Sequence, residues 1–275
     1  MKVAAVQMIS GPEVAPNLVT ATKLVAEAAA QGAQLVALPE YFPLIGATDA
    51  DRLAAREVDG RGPIQDFLAT TAKQHGIWLV GGSIPLQAND PDKLRNSCLV
   101  FDPEGRRAAR YDKMHLFGFQ KGEEFYDESA TIEAGEQSVT FDATCDRGNT
   151  AKLRLGLGIC YDLRFPEFFR TMAQLPNPVD LLVLPAAFTE TTGQAHWEVL
   201  LRARAIENQC YLLASAQGGR HPNGRMTHGN SMLISPWGEI IARIDKGEGV
   251  IVGDVGFQRI AETRTSLPAL RHRKL

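Results

Sequence analysis

The sequence predicts an α/β protein made of two α/β layers packed together, and three observations lead there. Apolar strand-like runs alternate with segments of helical periodicity through two halves of similar length. No composition break or linker divides the 275 residues, so they read as a single domain, 1–275, with a short C-terminal tail. A composition of 44% hydrophobic and 22% charged residues supports a sizeable core and argues against disorder.

Residues 2–8 form the first predicted strand. In residues 16–30, Leu18, Ala21, Leu24, Val25 and Ala28 recur at helical spacing, and Gly32 closes the helix. Residues 34–38 give a second buried strand that ends in Pro39-Glu40-Tyr41-Phe42. A polar loop or short helix is expected over 49–59, near the mouth of any site at the strand ends. Residues 63–75 put Ile64, Phe67, Leu68 and Ala72 on one helix face, with Gly76 as the stop. A single strand is expected over 77–84. Residues 96–101 then pair with 106–114 across the turn Asp102-Pro103-Glu104-Gly105.

The charged, aromatic stretch 118–128 reads as a loop, and 140–151 as turn-rich. A buried strand follows, in which Leu153, Leu155, Leu157 and Ile159 alternate with small or basic residues. The second half continues with a helix over 165–174, a very apolar strand over 179–184, a helix over 195–209 and a strand over 211–216. A polar, basic loop over 218–229 leads to a hairpin, 230–235 with 239–245, turning at Pro236-Trp237-Gly238, and to a last strand over 250–255. The basic tail 264–275 is expected to wrap a partner subunit or the domain surface.

A formal net charge of -3 creates no field that would draw nucleic acid or an anionic membrane. The N-terminal apolar run is too short for a signal-peptide core, and no window approaches a bilayer span. Cys98, Cys145, Cys160 and Cys210 lie far apart with no C-x-x-C, in a chain large enough not to need staples. Four reduced cysteines and a cytoplasmic location are the expectation.

Residues 152–167, KLRLGLGICYDLRFPE, hold the chemistry. The apolar run delivers Cys160 to a turn before a helix that Pro166 can start. There its sulfur is expected to be exposed and close to the positive end of the helix dipole. A free cysteine is often buried merely as a small hydrophobe. Asp162, Arg164 and Glu167 would be costly company for such a residue, so the cluster points to a nucleophile.

With LPEYF around Glu40, YDKMHLF around Lys113 and GICYDLRFPE around Cys160, the sequence resembles the nitrilase superfamily of carbon-nitrogen hydrolases. The resemblance runs from LPEYF to the PWGE hairpin and implies a four-layer α-β-β-α sandwich that commonly dimerises. It makes Glu40 the general base, Lys113 the oxyanion-holding ammonium, together with the backbone N–H of Tyr161, and Cys160 the nucleophile. Glu128, before Ser129 and seven residues ahead of Gly135, has the placement of the family's second glutamate. The expected partner is a small-molecule amide bearing a carboxylate, with no metal, cofactor, nucleic acid or membrane, and the expected assembly is a homodimer.

Within the superfamily, GICYDLRFPE, LPAAFTETTGQAHWEVLLRARAIENQCYLLASAQ and SMLISPWGE resemble the branch related to deaminated glutathione amidase. Omega-amidases acting on 2-oxoglutaramate and N-carbamoyl hydrolases are the enzymatic alternatives, and a catalytically silent binding protein of the same fold is the other. Arg164 is the first choice for a substrate carboxylate. Arg220, His221 and Arg225 could meet a second carboxylate, although a solvated loop is the simpler expectation for them. Gly156-x-Gly158 lacks the third glycine of a dinucleotide loop, His196-Trp197-Glu198 lacks the P-C-x-x-C of a zinc deaminase, and no G-x-S-x-G is present. His115, His196 and His228 read as hydrogen-bonded structural residues.

Overall fold

The computed structural model describes residues 1–122, 124–144 and 151–274. In the first half, β1 (Lys2–Gln7), β2 (Leu35–Ala37) and β3 (Trp78–Val80) run parallel. They are linked by α1 (Val14–Ala30) and then by α2 (Asp49–Ala54) and α3 (Pro63–His75). Pro63 starts α3, and Gly76, at φ 62°, ends it in the left-handed conformation that glycine tolerates.

The strand expected over 77–84 is two strands. β3 and β4 (Ile84–Gln87) pair in turn with one edge of the antiparallel β5 (Leu94–Phe101), and β6 (Arg107–Asp112) takes the other edge. Gly81 and Gly82 make the break. Gly82 has φ 54°, and a Cβ there would lie 2.1 Å from Pro39 O, so only glycine lets this backbone press against the residue before Glu40. Gly135 does the same for the lysine segment: a Cβ would lie 2.1 Å from Asp112 O, and its N–H donates to Lys113 O at 2.9 Å.

The segment expected to be a loop over 118–128 contains a hairpin, β7 (Gly118–Lys121) with β8 (Glu124–Asp127), followed by a 3-10 turn over Glu128–Ala130. The second sheet has the order β14-β13-β12-β11-β10-β9. Its members are β9 (Thr140–Thr144), β10 (Lys152–Leu157), β11 (Leu181–Ala186), β12 (Tyr211–Ala216), β13 (Ser231–Ile234) and β14 (Ile240–Ile244). β9 lies where turns were expected, and Cys145 is outside the described residues. Cys98, Cys160 and Cys210 are free and buried.

α4 (Pro166–Met172) and α5 (Glu190–Asn208) cover this sheet. α5 starts five residues before its predicted start, because the Thr189 hydroxyl accepts the Thr192 N–H and caps the helix ahead of Gly193. β15 (Gly249–Asp254) returns to the first sheet, antiparallel to β1. The basic tail is partly helical, as the end of α6 (Phe257–Ser266), a helix with few apolar residues to announce it. Arg264 binds Asp180, Val179 O and Gln209 O, so this part of the tail is fixed to the chain's own surface.

The pleat of the first sheet divides its side chains between two cores. Val3, Ala5, Leu35, Ala37, Val80 and Val100 face the second sheet, whereas Ala4, Val6, Val36, Leu38, Leu79 and Leu99 face α1 and α3. With α4 and α5 outside the second sheet, the layers run α-β-β-α. Two antiparallel steps, β3 to β5 to β6, restore the direction of β2. The C-terminal ends of β2 and β6 therefore meet at one end of the sheet, where open α/β sheets place their sites.

Gly82→Ala is expected to cost about 3 kcal/mol or more in urea unfolding, from strain and a backbone clash. Gly60→Ala, also at positive φ but with open space around it, should cost about 1–2 kcal/mol. Equal losses would show that the contact with Pro39 has no effect.

Candidate active site

Lys113 follows β6, and its Nζ is buried 2.9 Å from Glu40 Oε1 and 2.7 Å from Glu128 Oε2. Burial works to strip its proton, but Glu128 and then Glu40 outweigh burial and hold its pKa well above the usual lysine range. Glu40, 1% exposed, has both oxygens occupied: Oε1 also accepts Asn96 Nδ2 at 3.1 Å, and Oε2 accepts the Ala187 N–H at 2.8 Å. Burial would raise the Glu128 carboxyl, yet Lys113, the Phe117 N–H at 2.8 Å and the Tyr41 hydroxyl at 2.7 Å keep it below the ordinary carboxylate range.

Cys160 stands just beyond β10, at φ 46°, and opens a 3-10 turn, Cys160–Arg164. A non-glycine residue in this region is strained, and such strain gathers at functional positions. The exposed, helix-activated sulfur expected from the sequence is not what the structure holds. Cys160 is 8% exposed, and α4 begins only at Pro166. Burial, then Glu40 and Glu128, push its thiol pKa well up against the opposing pull of Lys113 and the Ala187 N–H. The resting group is a protonated thiol.

Glu40, Glu128 and Cys160 line one small pocket, walled by Phe117, Tyr161 and Phe188. A second groove, along α5 beside Arg202 and Arg243, holds no comparable set of groups. A buried thiol, a carboxylate able to take its proton and an ammonium able to face a developing negative charge are suited to nucleophilic attack on a carbonyl.

The carbon-nitrogen hydrolase family model matches residues 2–265. The chain belongs to the carbon-nitrogen hydrolase family. It is 39% identical over 272 residues to a deaminated glutathione amidase of Synechocystis sp., covering 98% of this chain and 97% of that one. To the omega-amidase NIT2-A of Xenopus laevis it is 38% identical over 274 residues, covering 99% and 95%. The crystal structure of Saccharomyces cerevisiae Nit3, a member of branch 10 of the nitrilase superfamily, superposes with a TM-score of 0.86 at 30% identity, covering 100% of this chain and 97% of that one. The protein is an amidase of this family, with its α-β-β-α fold.

A carbon-nitrogen hydrolase must hold segments distant in sequence in register, and here Asp162 does much of that. Fully buried, it accepts the Tyr111 hydroxyl at 2.6 Å and the Ile159 N–H at 2.8 Å on Oδ2, and the His115 N–H at 3.1 Å on Oδ1. His115 Nδ1 lies 2.7 Å from Oδ1. One carboxylate thus ties the residue before Cys160 to the two sides of Lys113. The sequence marked Asp162 only as charged company for Cys160; its alternation with buried positions gave no sign of these partners.

Arg164 does not line the pocket. Its guanidinium lies 5.7 Å from the centre of the Tyr161 ring and 5.1 Å from that of Phe188. Arg225 does line it. The loop that carries Arg225 is solvated at Arg220 and over 222–224, as expected, but His221 is not: buried, it bridges Ser10 O and Thr227 Oγ1 at 2.9 and 2.8 Å, and burial pushes its pKa down to about 4.

Asp162→Ala should destabilise the protein by about 3–5 kcal/mol, because it leaves several buried donors without an acceptor. Denaturant unfolding checks this, and a loss under about 1 kcal/mol would mean that water replaces the carboxylate easily.

Proposed function

We propose that the protein hydrolyses deaminated glutathione to 2-oxoglutarate and cysteinylglycine through a thioester on Cys160. The observation that carries the chemistry is a pocket lined by both Cys160 and Glu40, with the buried Lys113 ammonium 2.9 Å from Glu40 Oε1. Glu40 takes the thiol proton as sulfur attacks the amide carbonyl. Lys113 and the Tyr161 backbone N–H face the oxyanion. The C–N bond then breaks as Glu40 protonates the departing amine, which leaves as cysteinylglycine. Water, giving its proton to Glu40, attacks the thioester, and the released thiolate takes that proton back.

Glu128 holds Lys113 from the side opposite Glu40. It keeps the ammonium charged throughout, as an electrostatic role requires. Arg164, beside Tyr161 and Phe188 at the pocket wall, is the candidate for the acyl-side carboxylate.

The substrate choice is supported by the shape of the pocket mouth. The pocket shares Phe117, Glu128 and Arg225 with a wider groove past Tyr41, Arg52 and Tyr126. A dipeptide leaving group needs that room and ammonia does not. The 38% identity to an omega-amidase favours release of ammonia from 2-oxoglutaramate as the second reading.

A homodimer fits the exposed apolar side chains of Val199, Ile206, Trp237 and Ile241 on α5 and the neighbouring β13–β14 hairpin. A reducing, cytoplasmic setting fits the three free thiols. None of the described helices is long and apolar enough to cross a membrane.

Release of 2-oxoglutarate from deaminated glutathione is expected to exceed that from 2-oxoglutaramate in kcat/KM; the reverse order makes the protein an omega-amidase. Cys160→Ala should abolish turnover while leaving the unfolding curve nearly unmoved, and retained activity would refute the nucleophile. Lys113→Met should lower kcat by about a hundredfold or more, the cost of losing one oxyanion donor. An unchanged kcat with a raised KM would instead make it a binding residue.

A further inference from the structure

We propose that Arg225 is the specificity residue for the leaving group: it binds a carboxylate on the amine half of the amide, while Arg164 serves the acyl half. This rests on the amidase reading above and adds to it a chemical requirement on the departing amine.

Arg225 lines both the catalytic pocket and the wider groove beyond it. Its guanidinium lies 5.2 Å from the Tyr126 ring centre, and one Nη donates to Ala187 O at 3.1 Å. Its Nε is buried with no hydrogen-bond acceptor. Among the described residues, no carboxylate pairs with it. Arg52, the other cation of the groove, is already ion-paired with Asp49. An unpaired guanidinium at the edge of a buried pocket is costly unless a ligand supplies the anion, and a carboxylate matches its fork.

The position sets which half of the substrate it meets. Ala187, whose carbonyl fixes Arg225, also presents its N–H to Glu40, the group that protonates the amine. The amine therefore departs on the side of Glu40 and Ala187, toward the groove that Arg225 borders. The loop is also rigid enough to hold a charge in place: Asn223 Oδ1 accepts the Arg225 N–H at 3.0 Å, its Nδ2 donates to Gly46 O at 2.7 Å, and the Arg225 carbonyl accepts the His221 N–H at 2.9 Å. A charge fixed in this way loses little entropy on binding.

The test compares deaminated glutathione with its C-terminal carboxamide, which differs only in the leaving-group charge, using the full-length enzyme. Wild type should prefer the free acid in kcat/KM by about tenfold or more, as a charge-assisted pair predicts. In Arg225→Met that preference should fall to about onefold, through KM, and Arg225→Lys should keep part of it. A preference that survives in Arg225→Met, or an equal fall on both substrates, overturns the inference while the amidase reading stands. Wild-type turnover of 2-oxoglutaramate alone overturns both this inference and the deaminated-glutathione reading, and leaves an omega-amidase. The thermal unfolding midpoint of each variant separates lost recognition from a disturbed loop.

Discussion

The structure depends on one buried ion cluster, in which the Lys113 ammonium lies between the Glu40 and Glu128 carboxylates. Each charge alone would be expensive at this depth, and together they are tolerable only because hydrogen bonds from Asn96, Ala187, Phe117 and Tyr41 fill the remaining acceptor positions. The close approaches at Gly82 and Gly135 bring the backbone before Glu40 and beside Lys113 to where those bonds can form. Much of the chain's architecture, from the broken β3–β4 edge to the short turn holding Glu128, serves this cluster.

The cluster also sets the state of the thiol. With one cation between two anions, the Lys113 cluster carries one net negative charge, which, with burial, opposes ionisation of Cys160. Passing the thiol proton to Glu40 leaves that net charge unchanged, because one anion replaces another. Attack coupled to this transfer avoids placing a third anion in a low-dielectric site. A permanently ionised thiolate near a helix end would need a different electrostatic setting, and this pocket does not provide it.

Around the cluster, two kinds of support act at different distances. Asp162 joins the turn at Cys160 to the lysine segment through direct hydrogen bonds, so that the segments following β6 and β10 keep a fixed geometry. Further out, the loop pinned by His221 brings Arg225 to the pocket rim. A neutral, buried histidine is suited to that, since its hydrogen bonds do not change across the neutral pH range. Chemistry at the centre and selection at the rim thus rest on separate parts of the chain.

The sequence by itself determined most element types and the three motif-bearing residues, because period-two apolar runs stopped by proline, glycine or charge encode strands and their ends locally; the β7–β8 hairpin and β9, read as loop and turns, lack that signal. It placed Glu40, Lys113 and Cys160 each just after such a run, and identified α3 and the Asp102–Gly105 turn. Local pattern could not separate β3 from β4, start α5 at Thr189 or reveal α6, since glycine contacts, a side-chain cap and a weakly apolar helix give faint signals. Only the tertiary structure decided that Glu40 and Lys113, 73 residues apart, share a hydrogen bond, and that Ala187, 147 residues from Glu40, completes its shell. It alone also decided the depth of Cys160, the partners of Asp162 and the choice of Arg225 over Arg164 as the pocket's lining cation. The physical reason is that a charge takes its energy and its reactivity from burial and from neighbours brought by other strands, and neither is written in the residues beside it.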